Sequence, residues 1–424
     1  VSLDLIRDRY EGRDWLIRAM KDLCANTTLA VGITAVTPEL PRALKVLETV
    51  KAVAPGLKTM IGGTHVSYED EEAAASQAVD AVVRFEGEFT ARDLMRRWAE
   101  GAGIDDVDGI TFADGNQIIR AKPRTLCDLK KLPPPAYHLM DTEMRAKVHV
   151  TPTFTRGCPY SCSYCVEADF WSRRVRHRSV KIFVDELEYI AEDLGWRFIH
   201  IADSTFGINR AETEALCDEL ERRRLNAVFS VNIRPNACSY IGKSLLRRLR
   251  ALNFIEFYVG IESISEGLLK ELNRSQEVRE LDRTLVFLKE IGVPFVKLYL
   301  VIGLPGDTHE TLQYTLNRVR HYVENGLAFY ATGKFFTPVP GTIEAKNHAT
   351  SNRVLTWDWA EFERYSFPPV VEHATLSPYE IECYLMLLQA QQLGAYRRRL
   401  GIDAGERGRI KSWVAENYHQ AVYL

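Results

Sequence analysis

The sequence lacks the features that mark several specialised classes of protein. Its 424 residues contain only eight cysteines, too few for a disulfide scaffold in a chain of this length. No apolar run approaches the ~20 residues that a membrane-spanning helix needs. No secretory signal, low-complexity segment or repeat beyond alternating strands and helices is visible. We therefore predict a cytoplasmic globular protein whose thiols are kept reduced.

An excess of charge of one sign is also lacking, because the formal net charge is only −3. Such a balance provides no general attraction to nucleic acid or to an anionic membrane, and neither is predicted as a partner. The length predicts about three domains, or fewer if one of them is a barrel of about 250 residues. The chain does not begin with Met, and Val1–Ile6 already reads as a strand, so we expect further residues before it.

What the sequence does contain is a compact group of three cysteines, Cys158, Cys162 and Cys165, directly after the β-branched run 148–155. Three thiolates on one loop suit a soft metal or an iron–sulfur cluster. They would hold three corners of a [4Fe–4S] cubane and leave one iron open to a small molecule.

A structural zinc site is the alternative, and it needs four ligands. The remaining candidate ligands are not at knuckle spacing from the three cysteines: Cys127, His177 and Cys217. A cluster is therefore the favoured prediction.

The pattern Cys158-x3-Cys162-x2-Cys165, with Tyr164 before the last cysteine, resembles the signature of the radical SAM superfamily. The resemblance implies a [4Fe–4S] cluster whose open iron binds the amino and carboxylate groups of S-adenosylmethionine (SAM). Reductive cleavage of SAM would then give a 5′-deoxyadenosyl radical that removes hydrogen from a small-molecule substrate. A flavodoxin, a ferredoxin or another reductant would supply the electron.

Residues 1–100 alternate strands and helices, which predicts a doubly wound parallel sheet of the Rossmann-like α/β type. The predicted strands are Val1–Ile6, Leu29–Thr34, Lys58–Ile61 and Ala81–Arg84. Ligands of such sheets bind beyond the carboxyl ends of the strands.

These strand ends resemble the cobalamin (B12)-binding domain that precedes many radical SAM domains. The resemblance implies a cobalamin-side set of residues: Thr34, Thr37, Gly62 and Gly63. Paired glycines would let the nucleotide tail approach the backbone. The axial-ligand motif Asp-x-His-x-x-Gly is absent from these 424 residues, and Phe85 stands where the family commonly has glycine. Both departures favour a reaction that needs no cobalt.

The remaining chain divides into three predicted parts. Residues 101–147 read as a β-hairpin and a proline-rich linker. Residues 148–342 carry six strand–helix units, too few for a closed eight-stranded barrel and similar to the open partial (β/α)6 barrel of radical SAM enzymes. Residues 343–424 read as a helical cap that is rich in aromatic residues.

Polar residues follow the second and third predicted barrel strands. Position in the family suggests that Asp203 and Ser204 contact the SAM amino group or the substrate, with Asp203 catalytic; an N-cap of the next helix is the alternative. Arg234 is predicted either to bind an anion or to lie in a surface ion pair.

The later strand ends resemble the superfamily more closely. The stretch 259–263 is similar to the family's Gly-Ile-Glu-Ser motif, which implies that Glu262 and Ser263 lie near the methionine or ribose of SAM, with Glu262 also catalytic. The resemblance pairs Arg274 with the SAM carboxylate, which a guanidinium fork fits well. Gly303 and Pro340 lie in loops similar to those that place backbone against adenine.

We predict a radical elimination, dehydration or rearrangement of a hydroxylated substrate resembling a sugar or an aminoglycoside, in a secondary-metabolite pathway such as antibiotic biosynthesis. The alternative is a cobalamin-dependent radical SAM methyltransferase or cyclase. A non-catalytic Fe–S electron-transfer protein is the hypothesis from a different class. The SAM-type strand ends argue against it, because an electron carrier needs no such pocket.

Overall fold

The structure is a computed structural model that describes residues 17, 21, 28–140, 150–347, 353–362 and 369–400. Its described part is built on two five-stranded sheets. The predicted α/β class is thereby confirmed. The predicted first strand, Val1–Ile6, lies outside the described residues.

The N-terminal sheet has the order β1-β2-β3-β4-β5. Its strands are β1 Ala30–Thr34, β2 Lys58–Gly62, β3 Ala81–Val83, β4 Ile110–Asp114 and β5 Gln117–Arg120. The first three strands are parallel, and the last two pair antiparallel. The hairpin that was predicted to belong to the connection is thus part of the sheet, because Ile110 and Phe112 are buried against Trp98.

Helices cover both faces of this sheet. They are α1 Leu40–Val53, α2 Asp70–Ala74 and α3 Glu88–Ala99. The buried residues of α1 recur every three or four positions, which is the spacing of an amphipathic helix packed on a core.

The second sheet has the order β12-β11-β10-β9-β8 and is parallel throughout. Its strands are β8 Phe198–Ile201, β9 Val228–Ile233, β10 Phe254–Glu262, β11 Phe295–Ile302 and β12 Tyr330–Phe335. The helices between and before them are α5 Val180–Glu188, α6 Arg210–Arg223, α7 Lys243–Ala251, α8 Glu266–Glu271, α9 Val278–Glu290 and α10 His309–Glu324. This arrangement is the predicted partial barrel.

The strand predicted before the cysteine loop is much shorter than expected. Residues 148 and 149 lie outside the described residues; from residue 150 onward only β6, Thr155–Arg156, is formed, and it pairs antiparallel with β7, Arg176–His177. The reason is that the amides of Phe154 and Thr155 donate to the carboxylate of Asp203, so they are not available to a neighbouring strand. Helix α4, Glu167–Phe170, lies between β6 and β7.

The described C-terminal region combines a long helix with short elements. These are α11 Ile343–Lys346, β13 Arg353–Val354, β14 Val371–Glu372 and α12 Pro378–Leu400. Helix α12 packs against β12 and α10, so it covers one edge of the barrel; a cap over the whole of 343–424 stays a prediction, because residues 401–424 lie outside the described residues. Among the described residues, no helix has the length and apolarity required to cross a membrane.

Candidate cluster and cofactor site

The cysteine loop is held by contacts with distant parts of the chain. The amide of Ser163 donates to the carbonyl of Leu272 at 3.0 Å, and the amide of Ile343 donates to the carbonyl of Ser163 at 3.0 Å. Gly157 has a φ of +105°, and a Cβ there would lie 2.2 Å from the carbonyl oxygen of Arg174. Glycine is therefore required at the entry to this loop.

The three thiols do not converge on the position of a single metal ion. In the part of the chain that the structure describes, the only cysteine belonging to a group of ligand atoms all within 4.8 Å of one another is Cys127. A tetrahedral zinc site with Zn–S bonds of about 2.3 Å would bring its sulfurs within about 4 Å of each other. The wider spacing of Cys158, Cys162 and Cys165 fits a multi-iron cluster better than zinc.

Two buried arginines lie beside Cys162, and they supply positive charge to the loop. The Nη1 atoms of Arg234 and Arg274 are 4.0 and 3.9 Å from Cys162 Sγ. Burial raises the pKa of the Cys165 thiol to about 12, so positive charge is needed nearby if the cysteines are to bind as thiolates. Arg234 is not in a surface ion pair, because it is 7% exposed and its guanidinium lies 3.7 Å from the ring centre of Tyr160.

Arg274 connects the cysteine loop to the end of β10. It donates to the carbonyl of Gly260 and to the hydroxyl of Tyr164, the latter at 3.2 Å, and lies 3.6 Å from the carboxylate of Glu262. Burial alone would lower the pKa of Arg274, but neighbouring Tyr164 and Glu262 raise it. The side chain is therefore a permanent, buried cation beside the loop. Glu262 has a φ of +58°, a strained conformation that such functional sites retain.

Asp203 has a different position from the one predicted for a catalytic group. Its carboxylate is fully buried and accepts hydrogen bonds from the amides of Phe154 and Thr155 and from the Thr155 hydroxyl, at 2.8, 2.9 and 2.7 Å. It therefore anchors the strand before the cysteine loop instead of facing a ligand. Ser204 is exposed, and its hydroxyl donates to the carboxylate of Glu167 just after the loop.

Ser263 also points away from the site. It is 3% exposed, and its hydroxyl oxygen lies 3.3 Å from that of Thr315 on α10. Gly303, after β11, has a φ of +78°, and a Cβ there would lie 3.0 Å from Ile381 of α12. Pro340 is buried and precedes Gly341, where a Cβ would lie 2.4 Å from the ring of Tyr68. These two loops are therefore packed under other elements.

The inner face of the barrel carries polar residues that the sequence reasoning missed. Along β10 and β11 the residues facing the helices, such as Phe257 and Leu298, are fully buried, whereas Tyr258, Lys297 and Tyr299 are partly exposed. The alternation of polar and apolar residues in these strands was the available signal.

Several of these inner side chains contact one another. The rings of Tyr258 and Tyr299 stack with centres 5.3 Å apart, and Lys297 pairs with the buried Glu256 at 2.8 Å. His200 of β8 lies 2.8 Å from Ser230 Oγ, and burial lowers the pKa of His200. The lumen below Glu262 is therefore lined by polar side chains, several of them partly exposed.

The predicted cobalamin-side residues meet at the carboxyl edge of the N-terminal sheet. Thr34 is exposed, and Gly62 and Gly63 are partly exposed. Gly63 has a φ of +113°, and a Cβ there would lie 2.4 Å from the carbonyl oxygen of Ala35. The glycine therefore allows two loops of the chain itself to approach. Thr37 is 5% exposed and faces into the protein.

His65 gives this edge a buried ring nitrogen, Nε2, that makes no hydrogen bond within the described part of the chain and lies 3.9 Å from the carboxylate of Glu72. Its Nδ1 lies 3.2 Å from the Thr37 hydroxyl, its buried Nε2 has no hydrogen bond, and its ring packs against Trp359. Burial lowers the pKa of His65 to about 4, so the ring is neutral at pH 7. An unsatisfied buried nitrogen beside exposed Thr34 and two glycines fits an edge that binds a polar ligand.

Phe85 fills part of the space between the two domains. Its φ is +58°, and its ring centre lies 5.6 Å from that of Tyr68 and 5.4 Å from that of Phe170 of α4. Burial and neighbouring Asp169 raise the pKa of Tyr68 well above its usual range. This aromatic group joins the N-terminal sheet to the region just after the cysteine loop.

Two family models match the chain. The radical SAM superfamily model matches residues 153–319, and the B12 binding domain model matches residues 16–95. The chain therefore contains a radical SAM domain. The N-terminal domain is a B12-binding domain, and the cluster and SAM are confirmed as the cofactors that this family implies.

Curated relatives of this radical SAM protein include cyclases and methyltransferases. The anaerobic magnesium-protoporphyrin IX monomethyl ester cyclase of Rubrivivax gelatinosus is 28% identical over 349 residues, which cover 80% of this chain and 60% of the cyclase. The bacteriochlorophyllide d C-8(2)-methyltransferase of Chlorobaculum tepidum is 24% identical and is covered over 71% of its length, by 78% of this chain.

A solved structure shows the same fold. It is the radical SAM methyltransferase TsrM of Kitasatospora setae with cobalamin and a [4Fe–4S] cluster bound, with a TM-score of 0.69 and 16% identity. The match covers 94% of this chain and 83% of that one. These comparisons do not support the dehydratase hypothesis, and they favour its alternative, a cobalamin-dependent methyltransferase or cyclase.

Proposed function

We propose that this radical SAM protein is a cobalamin-dependent methyltransferase or cyclase that acts on a small molecule held in the barrel lumen. The observation that carries the proposal is the joint presence of the two domains around one site. At the mouth of the barrel lie the cysteine loop, the buried Arg274 and the entrance to the polar lumen. The B12-binding domain packs against the same cysteine loop.

Cys158, Cys162 and Cys165 would ligate the cluster, with Arg234 and Arg274 balancing its negative charge. When bound, the cluster and SAM supply a radical that can abstract hydrogen. The role of the chain is to orient the reactants and to exclude water, because an unpositioned radical reacts indiscriminately.

In this proposal the substrate lies between the cofactor site and the inner ends of β10 and β11. The side chains of Tyr258, Tyr299 and Asn232 give this space polar walls. Gly260 keeps the lumen open below Glu262, since a Cβ there would lie 2.8 Å from the Glu262 carboxylate. These polar walls support a substrate with hydrogen-bonding groups rather than a pure hydrocarbon.

The carboxyl edge around Thr34, Gly62 and Gly63 would hold cobalamin. When bound, cobalamin supplies a carrier for a methyl group. The support is the B12-binding family match, the cobalamin in the related fold and the unsatisfied His65 nitrogen. Phe85 reduces the space at this edge, but the partly exposed glycines beside it leave room for contact.

Anaerobic reconstitution with iron, sulfide and hydroxocobalamin tests this proposal. We expect a corrin absorption at one equivalent per chain, and 5′-deoxyadenosine or S-adenosylhomocysteine when SAM and dithionite are added. A chain that loads a cluster but binds no corrin would overturn the cobalamin part. A chain that loads a cluster and never consumes SAM over a broad substrate screen would instead be an electron carrier.

A pair of variants locates the cobalamin site. Thr34→Trp adds bulk at the exposed carboxyl edge, whereas Gln117→Trp adds the same bulk at an exposed position on β5, in the hairpin. We expect Thr34→Trp to lose corrin binding and Gln117→Trp to keep it, with an intact cluster in both. Equal corrin binding by the two variants would place cobalamin elsewhere.

A further inference from the structure

The N-terminal domain contacts the β6–β7 hairpin that carries the cysteine loop. The contact is made by Glu86, which follows β3, and by Arg156 and Arg176, which face each other across β6 and β7. We call these three residues the Glu86 clamp. Arg156 stands two positions before Cys158, so the clamp lies directly at the base of the loop.

Glu86 is fully engaged by the hairpin. Its side chain is 5% exposed and accepts from Arg156 Nη1 at 3.0 Å and from Arg176 Nη1 and Nη2 at 2.8 and 3.1 Å. The amide of Cys127, in the linker, donates to it at 2.8 Å. Charge-assisted, bidentate bonds of this kind combine strength with a defined orientation.

Neighbouring contacts make the clamp rigid. The ring of Trp171 lies under both guanidiniums, at 5.6 Å from Arg156 and 5.7 Å from Arg176. Phe85, next to Glu86, keeps a left-handed conformation that is unfavourable for a non-glycine residue. Such strain persists where the surroundings over-determine the backbone, and here the Phe170 ring of α4 holds Phe85 from the other side.

A metal site is the other reading of this group. Ligand atoms of Glu86, Glu88 and Cys127 lie within 4.8 Å of one another. However, Arg156 also pairs with Glu88 at 2.6 Å, so the two carboxylates face two guanidiniums. A cation would have to compete with both, and the group is therefore an ion-pair network.

We propose that Glu86 is a positioning residue through which the N-terminal domain sets the orientation of the cysteine loop. The N-terminal domain would then have a second role besides binding a cofactor, because it would preorganise the loop before any cluster is loaded. This inference does not depend on whether the enzyme is a methyltransferase or a cyclase.

The test uses the reactivity of thiols in the full-length apoprotein. Alkylation with iodoacetamide is followed per cysteine by mass spectrometry in the wild type, in Glu86→Gln and in the control Glu88→Gln. The Glu88 side chain is 37% exposed, and within the described ranges its one ion pair is with Arg156. Cys217, which is 0% exposed in α6, is the internal reference for global unfolding.

We expect Glu86→Gln to raise the alkylation rates of Cys158, Cys162 and Cys165 about tenfold while Cys217 stays protected. We expect a tenfold increase because Glu86→Gln loses at least one charge-assisted hydrogen bond. A loss of ~1.4 kcal/mol shifts the equilibrium between the closed and the open cysteine loop tenfold. Glu88→Gln should change the rates less than threefold.

Unchanged rates in Glu86→Gln would overturn the proposal. If Cys217 also becomes reactive in Glu86→Gln, the milder Arg176→Lys variant decides the question, because it keeps the charge but loses the bidentate fork. Faster alkylation of the three loop cysteines in Arg176→Lys supports the clamp, and wild-type rates refute it. In the loaded protein, the same variants should alter the EPR signal of the reduced cluster, whereas Glu88→Gln should not.

Discussion

Replacing Asp203 separates a structural role from a catalytic one. At Asp203 the sequence predicts a catalytic group, but the structure shows its carboxylate holding the amides of Phe154 and Thr155. In Asp203→Ala these two buried amides lose their acceptor, at a cost of about 1–3 kcal/mol each. We therefore expect the free energy of unfolding to fall by about 4 kcal/mol at pH 4, where the buried wild-type carboxyl is protonated.

The variant Asp203→Asn should behave very differently. Its Oδ1 still accepts from both amides, and the Thr155 hydroxyl can accept from the new Nδ2. Burial raises the pKa of Asp203 to about 6 from 3.8, so ionisation of the wild-type carboxyl makes folding less favourable by about 3 kcal/mol at pH 7. Asparagine avoids this cost but has weaker hydrogen bonds, and we expect stability within about 1 kcal/mol of the wild type.

The sign of the pH dependence gives a further check. The pKa of Asp203 is higher in the folded than in the unfolded protein, so the folded state binds more protons between pH 3.8 and about 6. This carboxyl therefore decreases stability as the pH rises through that window. Urea unfolding from pH 4 to pH 7 should show that Asp203→Asn removes this contribution.

Activity measurements complete the comparison. We expect Asp203→Asn to load a cluster and to form 5′-deoxyadenosine at a rate within threefold of the wild type. If Asp203→Asn is as stable as the wild type, loads its cluster and forms no 5′-deoxyadenosine, the anchoring argument is refuted and Asp203 is catalytic. If it unfolds as readily as Asp203→Ala, the negative charge itself is what holds the strand.

Three other changes test different parts of the structure. Cys162→Ala should abolish SAM cleavage and lower the bound iron, whereas Cys217→Ala in α6 should leave both unchanged; retained cleavage would refute the cluster assignment. Burial lowers the pKa of His65 from 6.5 to about 4. The free energy of unfolding should therefore fall by about 2 kcal/mol as the pH is lowered from 7 to 5, because His65 gains a proton in the unfolded but not in the folded protein. His65→Gln should reduce that loss in urea unfolding, and an unchanged pH slope would contradict the burial argument. Gly63→Ala should destabilise the protein by more than 2 kcal/mol, because Gly63 has a positive φ and a Cβ there would clash with the backbone. Gly56→Ala should not, because there is open space around Gly56. Equal effects of the two variants on the melting temperature would refute the clash.

Local patterns in the sequence determined the chemistry and the class of fold. The spacing of Cys158, Cys162 and Cys165 places three thiols on one loop, whatever surrounds them. Alternating strands and helices determined the parallel strands β1–β3 and β8–β12, because burial of apolar residues at periods of 2 and 3.6 depends on neighbours in the chain. A motif of adjacent residues predicted that Arg274 pairs with the SAM carboxylate; the structure places this side chain 3.9 Å from Cys162 Sγ, and its pairing with SAM stays a prediction.

Contacts between distant residues were decided only by the tertiary structure. Nothing near Asp203 indicates that the amides of Phe154 and Thr155, 49 and 48 positions earlier, would donate hydrogen bonds to its carboxylate. The hairpin of β4 and β5 was predicted as a connection, because its local pattern does not reveal that β3 offers a free edge for antiparallel pairing. Ser263 likewise belongs to a motif similar to that of the family, yet its hydroxyl lies next to the hydroxyl of Thr315 on α10.

The Glu86 clamp shows the same limit most clearly. Glu86 and Arg176 are 90 positions apart, and each alone reads as an ordinary charged residue. Sequence determines which residues are close along the chain, and hence loops, helices and strands. Only folding determines which charges meet in a buried place, where loss of solvent makes their pairing strong enough to hold a catalytic loop.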